Sequence, residues 1–167
     1  ATAMNAMFYQ LSYITSLDLS NFDTSSVTNM QSMFYRLGRL TSLDVSSFDT
    51  SSVTNMRYMF YEVNGLTSIT GLNTFDTSSV TTMIYMFYGC SLITSLDLSS
   101  FDTSSVTEAY SMFQYCYALT DIIGIENFNI EALNSDIALY NFMNSASITT
   151  ARYDALLVNW DAQDPYD

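Results

Sequence analysis

The sequence predicts an α/β solenoid, a right-handed stack of about five to six turns that is closed by a helical C-terminal cap. The heptapeptide FDTSSVT occurs four times without change, in units that start at Phe22, Phe48, Phe75 and Phe101. A degenerate fifth unit starts at Phe128, and the successive intervals are 26, 27, 26 and 27 residues. A fixed period in the twenties is typical of repeats that bury their apolar faces against one another.

One parallel strand is predicted in each turn. The units share the pattern L-x-x-L-x-L or I-x-x-L-x-L, whose last two apolar positions alternate about a polar residue, as in a half-buried strand. The clearest copies are Ile14/Leu17/Leu19, Leu40/Leu43/Val45 and Ile93/Leu96/Leu98. Two units carry an extra residue and a glycine, and we expect Gly71 and Gly124 to absorb the insertion as a bulge or bend.

One short helical segment is predicted in the remainder of each turn. The apolar residues Val27, Met30, Met33, Phe34 and Leu37 are spaced by three and four, which is the spacing of an α-helix or a 3₁₀-helix. The spacing recurs in the following units. We therefore expect the stack to bury Val on Val, Met on Met and Phe on Phe.

The chain is predicted to contain a repeat domain, residues 1–127, followed by a degenerate last repeat and cap, residues 128–167. Thr149 or Thr150 is expected to cap a helix in the second part. Its buried face would carry Tyr153, Leu156, Leu157 and Trp160. Because the chain starts partway through a repeat, its N-terminal edge is expected to be open to a preceding domain or to another subunit.

Composition excludes several classes of function. The net charge is −13, with four Arg and Lys residues against 17 Asp and Glu. Nucleic acids and anionic membranes require clustered cations, so neither is an expected partner. The chain has no histidine and only two cysteines. No nucleophile–base pair and no phosphate-binding glycine loop is found, so neither catalysis nor a cofactor is expected.

The run CSLITSLDLSSFDTSSVT, followed by MxxMFxxC-type spacing, resembles the BspA-like leucine-rich repeats, and in particular the mycoplasma-type surface-protein variant. The segment ITTARYDALLVNW resembles the end of such arrays. The resemblance implies a leucine-rich-repeat solenoid exposed on a cell or virion surface, where it mediates adhesion. It supplies no catalytic residues, because the family shares no catalytic motif.

Two surfaces are predicted to bind partners. The outward positions of the strands give a polar, acidic strip that includes Asp18, Asp44 and Asp97, which is either a ligand strip or an ordinary solvated face. The second surface is a column of tyrosines that follow the buried phenylalanines. Its members are Tyr9, Tyr35, Tyr61 and Tyr88, with Tyr58 and Tyr85 in a neighbouring column. These rings either bind a partner or stack on one another. Specificity is expected where units differ, as at Arg57.

Three further columns have structural interpretations and functional alternatives. The aspartates that follow the repeated phenylalanine are expected to form N-caps or Asx turns, with calcium binding as the alternative. They are Asp23, Asp49, Asp76 and Asp102. The threonines of DTSSVT are expected to bond local backbone, with ice binding as the alternative. Cys90 and Cys116 are expected in the core, and adjacent turns would bring their Cα atoms near enough for a disulfide as the alternative.

The predicted function is a non-catalytic interaction or adhesion module on a cell or virion surface. Its expected partner is another protein, a glycan or a further copy of the chain. The alternative is a structural subunit of an extracellular fibre or virion, which assembles through its open repeat end and its tyrosine columns. An ice-binding solenoid is a third hypothesis.

Overall fold

A computed structural model describes residues 3–133, 135 and 137–163. Four short strands follow in chain order: β1 (Ser42–Asp44), β2 (Ser68–Thr70), β3 (Ser95–Asp97) and β4 (Asp121–Ile123). Two 3₁₀-helices, Leu72–Thr74 and Ile125–Asn127, follow β2 and β4. The single α-helix of the described part is α1 (Thr150–Asp161).

The predicted solenoid of five to six turns, with one strand and one helical segment in each turn, is wrong. Strand β1 pairs in parallel with β2, and β3 pairs in parallel with β4, so the described strands form two separate two-stranded sheets. The leucine-rich-repeat architecture implied by the resemblance is not supported for the same reason. No strand forms at the first predicted copy, residues 14–19.

The two longer units end their strands in the same way. Gly71 directly follows β2 and Gly124 directly follows β4, and both have a φ of 89°. This left-handed conformation ends the extended strand and starts a 3₁₀-helix. At Gly71 a Cβ atom would lie 2.4 Å from the Cα of Ser46, so close backbone packing also requires glycine. The extra residue is thus absorbed at the C-terminal end of the strand.

The predicted helical segments are also wrong, because alternate residues bond to the next repeat, and the residues between them form only isolated turns, such as Met33 to Met30 (3.2 Å). Ser32 and Arg36 have φ values of 57° and 58°, which no right-handed helix permits. Amides at alternate positions donate to carbonyls of the following repeat. The pairs are Met30 to Asn55 (3.0 Å), Ser32 to Arg57 (2.9 Å), Phe34 to Met59 (2.9 Å) and Arg36 to Tyr61 (2.8 Å).

The predicted apolar core is confirmed. Phe34, Phe60, Phe87 and Phe113 are each fully buried. Their rings stack in one row, with centroids 5.5, 5.3 and 5.6 Å apart. Parallel bonding between successive repeats brings equivalent side chains side by side, so each ring packs against its own copy.

A buried hydroxyl also joins each FDTSSVT copy to the next repeat. The Oγ1 of Thr77 donates to the carbonyl of Asp102 (2.8 Å), and the amide of Asp102 donates back to the same oxygen (2.9 Å). Thr103 bonds the backbone of Asn129 in the same two ways. The repeated peptide is therefore a structural corner between repeats.

Helix α1 lies where the sequence predicts it, with Thr149 at the N-cap position but no side-chain capping bond. Leu156 is buried and Trp160 is partly buried against the core, whereas Tyr153 and Leu157 are exposed, so these two members of the predicted face are wrong. Arg152 fixes the helix through ion pairs with Asp121 and Glu126. The end of the predicted cap, residues 164–167, lies outside the described residues. Within the described chain, none of the helices combines the length and apolar character that a membrane span requires.

Candidate functional site

The tyrosines that follow the buried phenylalanines form one stacked row, here named column A: Tyr9, Tyr35, Tyr61 and Tyr88. Successive ring centroids lie 4.6, 4.7 and 4.7 Å apart, and the rings are within 13° of parallel. Tyr115 continues the row edge-on, 5.2 Å from Tyr88. The distance between adjacent rings matches the distance between neighbouring parallel strands. Backbone pairing therefore sets the ring spacing.

A second row, column B, consists of Tyr58 and Tyr85. Their rings are parallel and 5.1 Å apart. Each stands nearly perpendicular to two rings of column A: Tyr58 to Tyr35 (6.2 Å) and Tyr61 (5.4 Å). Tyr85 meets Tyr61 and Tyr88 at 6.1 and 5.3 Å. Edge-to-face pairs of this kind are favourable, so the two columns hold each other in place.

The backbone directs the column B rings to this surface. Tyr58 and Tyr85 have φ values of 59° and 56°, a left-handed conformation that is uncommon for a bulky side chain. The amide of Tyr58 donates to the carbonyl of Ile84, and the amide of Tyr85 donates to that of Tyr110. These bonds between repeats keep the residues in the unusual conformation.

The two columns line a shallow groove of about 410 Å³, here named the tyrosine groove. Gln31 and Ser32 lie at one end of its lining and Gln114 at the other. Packing between the rings desolvates the hydroxyl groups and raises the pKa of Tyr61 well above its ordinary range. Burial raises the pKa values of Tyr35 and Tyr88 in the same direction. The hydroxyls of Tyr35, Tyr61 and Tyr88 are therefore neutral donors and acceptors at physiological pH.

Two arginines border the columns. The guanidinium of Arg36 lies 5.3 Å from the Tyr35 ring centroid and 5.9 Å from that of Tyr61, and its Nε pairs with Glu62 at 2.6 Å. Arg57 lies 4.9 Å from the Tyr58 ring and donates to its hydroxyl at 3.1 Å. Within the described residues Arg57 forms no ion pair, unlike Arg36.

The aspartates of the acidic strip form hydrogen bonds with the nearby backbone. The carboxylates of Asp18, Asp44 and Asp97 each accept the amide of the serine two residues later, at 3.0, 2.9 and 3.1 Å. The amide and then the hydroxyl of Ser20 hold the pKa of Asp18 below its ordinary value, and the hydroxyl and then the amide of Ser46 do the same for Asp44. The strip thus consists of Asx turns. Whether it also binds a ligand stays a prediction.

The second acidic column forms the Asx turns that the sequence predicts. The carboxylates of Asp23, Asp49, Asp76 and Asp102 accept the amide of the serine two residues on, at 3.1, 3.0, 3.0 and 2.9 Å. Hydrogen bonds from the hydroxyls of the same serines, and then these amide bonds, lower the pKa of each carboxyl group. No helix starts at these turns, so the N-cap alternative is wrong. Among the described residues, no group of three or more acidic or cysteine side chains is arranged to hold a metal ion.

The threonine columns differ in exposure. One column, which includes Thr24 and Thr77, is buried and bonded to the next repeat. The other is more exposed, and Thr54 and Thr81 donate to the carbonyl of the preceding copy at 3.2 Å. A buried column cannot contact ice, so at most one of the two threonine columns is available for that purpose.

Cys90 and Cys116 are both buried and free. Their thiols donate to the carbonyls of Phe60 and Phe87, each at 3.0 Å. The prediction that they are core residues is confirmed, and the alternative of a disulfide is not realised.

Three features of the surface were missed by sequence reasoning. The first is the perpendicular packing of column B between pairs of column A rings. The second is the Arg36–Glu62 ion pair, although both residues occupy one variable slot in adjacent units. The third is Ser32, which occupies the same slot as Tyr58 and was not recognised as part of the tyrosine surface. Comparing this slot across the aligned units would have identified it.

These observations define a repeat protein whose successive units bond to one another and carry two interlocked columns of tyrosine. The family model described as "Mycoplasma protein of unknown function, DUF285" matches residues 1–70 and 41–155, and the chain belongs to this family. No curated protein and no solved structure matches the chain.

Proposed function

We propose that the protein is a non-catalytic interaction module that binds another protein through the tyrosine groove, at the surface of a cell or virion. The observation that carries the proposal is the ordered packing of six tyrosine rings in two columns. Interfaces are enriched in tyrosine, which offers apolar area with a polar tip. Rings that are already ordered lose little side-chain entropy on binding.

The ring geometry favours a protein partner over a glycan. A sugar stacks its C–H face on an exposed aromatic face. In column A, however, the inner faces cover one another at 4.6 to 4.7 Å, which leaves ring edges and hydroxyls directed outward. Such an edge suits backbone groups and amphipathic side chains of a protein. The resemblance to BspA-like surface proteins supports the surface location and adhesion.

A peptide-display library tests the proposal, because it requires no known partner. The chain is panned against a random library, and selected peptides are measured against wild type and two variants. Y58S/Y85S gives column B the serine that the chain already carries at Ser32 and Ser111, and Y61Q copies Gln114. D44N is the matched control on the acidic strip. Unchanged thermal transitions establish that each variant is folded.

We expect the selected peptides to lose binding to Y58S/Y85S and Y61Q and to retain binding to D44N. Loss with D44N alone would move the binding site to the acidic strip and contradict the proposal. A library without binders would also contradict it. Molar mass in solution over a range of concentrations tests the structural-subunit alternative: a mass that rises for wild type and not for Y58S/Y85S would show that the columns assemble copies of the chain.

A further inference from the structure

Column B has fewer rings than the backbone allows. The slot that Tyr58 and Tyr85 fill is occupied by serine in the repeat before and in the repeat after, at Ser32 and Ser111. The four φ values are 57°, 59°, 56° and 54° in chain order. All four positions therefore have the same left-handed φ, but two of them carry no ring.

The position at Ser32 has the walls of a ring site. Each ring of column B stands against two successive rings of column A. One repeat earlier, the corresponding pair is Tyr9 and Tyr35, which are present and stacked at 4.6 Å. At Ser111 the second wall is missing, because Gln114 replaces the tyrosine of column A. The vacancy at Ser32, here named the Ser32 gap, is thus the better formed of the two.

The Ser32 gap is part of the tyrosine groove, and Ser32 itself is 9% exposed. The tyrosine groove has a volume of about 410 Å³, and its lining includes Tyr9, Gln31, Ser32, Tyr35 and Tyr58. Tyr58 has one parallel neighbour, Tyr85, and within the described residues no ring stacks on its other face. This volume is that of the whole tyrosine groove, and it is within the range of about 300–1,000 Å³ that is usual for ligand sites.

We infer that the Ser32 gap binds one aromatic side chain from a basic segment of a partner protein. The inserted ring would stack on Tyr58 and meet Tyr9 and Tyr35 edge-on, as Tyr58 meets Tyr35 and Tyr61 one repeat later. A basic segment is favoured because the net charge of −13 attracts cations at long range. Of the two nearby cations, Arg36 is paired with Glu62, whereas the Arg57 guanidinium lies 4.9 Å from the Tyr58 ring centroid without an ion pair in the described part of the chain. The attraction therefore comes from the net charge of the whole chain. The inference rests on the proposed function and specifies its partner.

A synthetic peptide provides the probe: Lys-Lys-Gly-Trp-Gly-Lys-Lys with blocked ends. Its control replaces tryptophan with alanine, and a third peptide replaces the lysines with glutamate. Binding is followed by the shifts of the protein's tyrosine ring resonances in NMR titrations. The decisive variant is S32Y, which fills the gap with the chain's own ring. The φ of Ser32 equals that of Tyr58 within two degrees (57° and 59°), so the backbone already accepts tyrosine there. S111Y is the matched control.

We expect the tryptophan peptide to shift the Tyr9, Tyr35 and Tyr58 resonances and S32Y to weaken binding by about tenfold or more, which equals about 1.4 kcal/mol. S111Y should bind as wild type, and both control peptides should bind about tenfold more weakly, on the same scale. Equal binding to wild type and S32Y, or equal binding of the alanine peptide, would overturn the inference. Y9A removes one wall and should weaken binding as S32Y does, which keeps the test valid if S32Y fails to fold.

The outcome separates the inference from the function on which it depends. If library-selected peptides bind wild type and S32Y equally but lose binding to Y58S/Y85S, the tyrosine groove is an interaction surface and the Ser32 gap is not its anchor. If neither the library nor the tryptophan peptide binds, both proposals are wrong.

Discussion

Replacing Thr77 with valine tests the bonding between repeats most sharply. Thr77 is fully buried, and valine has nearly the same shape without the hydroxyl. The substitution removes two hydrogen bonds to the backbone of Asp102, of 2.8 and 2.9 Å. At a net contribution of about 0.5–1.5 kcal/mol for each bond, T77V should lower the free energy of unfolding by about 1–3 kcal/mol.

The exposed Thr81 provides the matched control. Its hydroxyl donates to the carbonyl of Thr54 at 3.2 Å, where water can replace it. T81V should change the free energy of unfolding by about 0.5 kcal/mol or less. Urea denaturation followed by circular dichroism measures both variants, and an unchanged slope shows that the denatured states are comparable. A T77V protein as stable as wild type, or a T81V protein destabilised by the same amount, would refute the role assigned to the buried hydroxyl.

Three further predictions concern titratable groups. Hydrogen bonds from the Ser78 hydroxyl and amide lower the pKa of Asp76. The contribution of this carboxylate to stability is therefore present above about pH 4 and is lost as pH falls through its folded pKa. The stability difference between wild type and D76N should shrink between about pH 6 and pH 2, and a constant difference would contradict this. Burial raises the pKa of Tyr61, so the contribution of its neutral hydroxyl to stability is present below its unfolded pKa of about 10 and is lost at higher pH. Above about pH 10, Y61F should therefore lose less stability than wild type, as measured by unfolding curves at alkaline pH. Burial raises the pKa of the Cys90 thiol and raises that of Cys116 to about 12. A chromogenic disulfide reagent should therefore label neither cysteine in the folded chain and both cysteines in urea. Rapid labelling of the folded protein would contradict this, because it would show that the core opens.

The sequence could predict which side chains are buried but not the backbone that buries them. Val27, Met30, Met33 and Phe34 are spaced as on one face of a helix, and all four are buried. A chain with a left-handed residue at Ser32 presents these side chains to one side as well. The spacing of apolar residues therefore cannot separate the two conformations. No glycine marks the left-handed position at Ser32 or its copies, although Gly89, with a φ of 70°, occupies the copy of Arg36.

The continuous sheet was overpredicted for a related reason. Period-two alternation extends over only three residues in each unit, and the strands that form have only three residues. The glycine of the longer units did mark a real interruption, because Gly71 starts a 3₁₀-helix directly after β2. What the sequence did not reveal is that bonds between repeats outside the strands connect one unit to the next.

The tyrosine surface could be predicted as a set of columns, because identical spacing in every unit brings equivalent residues together. Its second layer could not. The perpendicular contact of Tyr58 with Tyr35 and Tyr61 depends on the left-handed backbone at Tyr58, which has no signal in the residue type. The same left-handed conformation at Ser32 creates the Ser32 gap, which the sequence could not predict either.

Nuclear Overhauser contacts between tyrosine rings in the free protein test the central claim, that the surface is ordered before any partner binds. Column A places the Tyr35 and Tyr61 rings 4.7 Å apart and the Tyr61 and Tyr88 rings 4.7 Å apart. We predict strong contacts between each of these ring pairs, together with ring-current shifts of their resonances, and the loss of both pairs in Y61Q. Tyrosine resonances at the positions of an unfolded peptide, without contacts between the rings, would contradict the account.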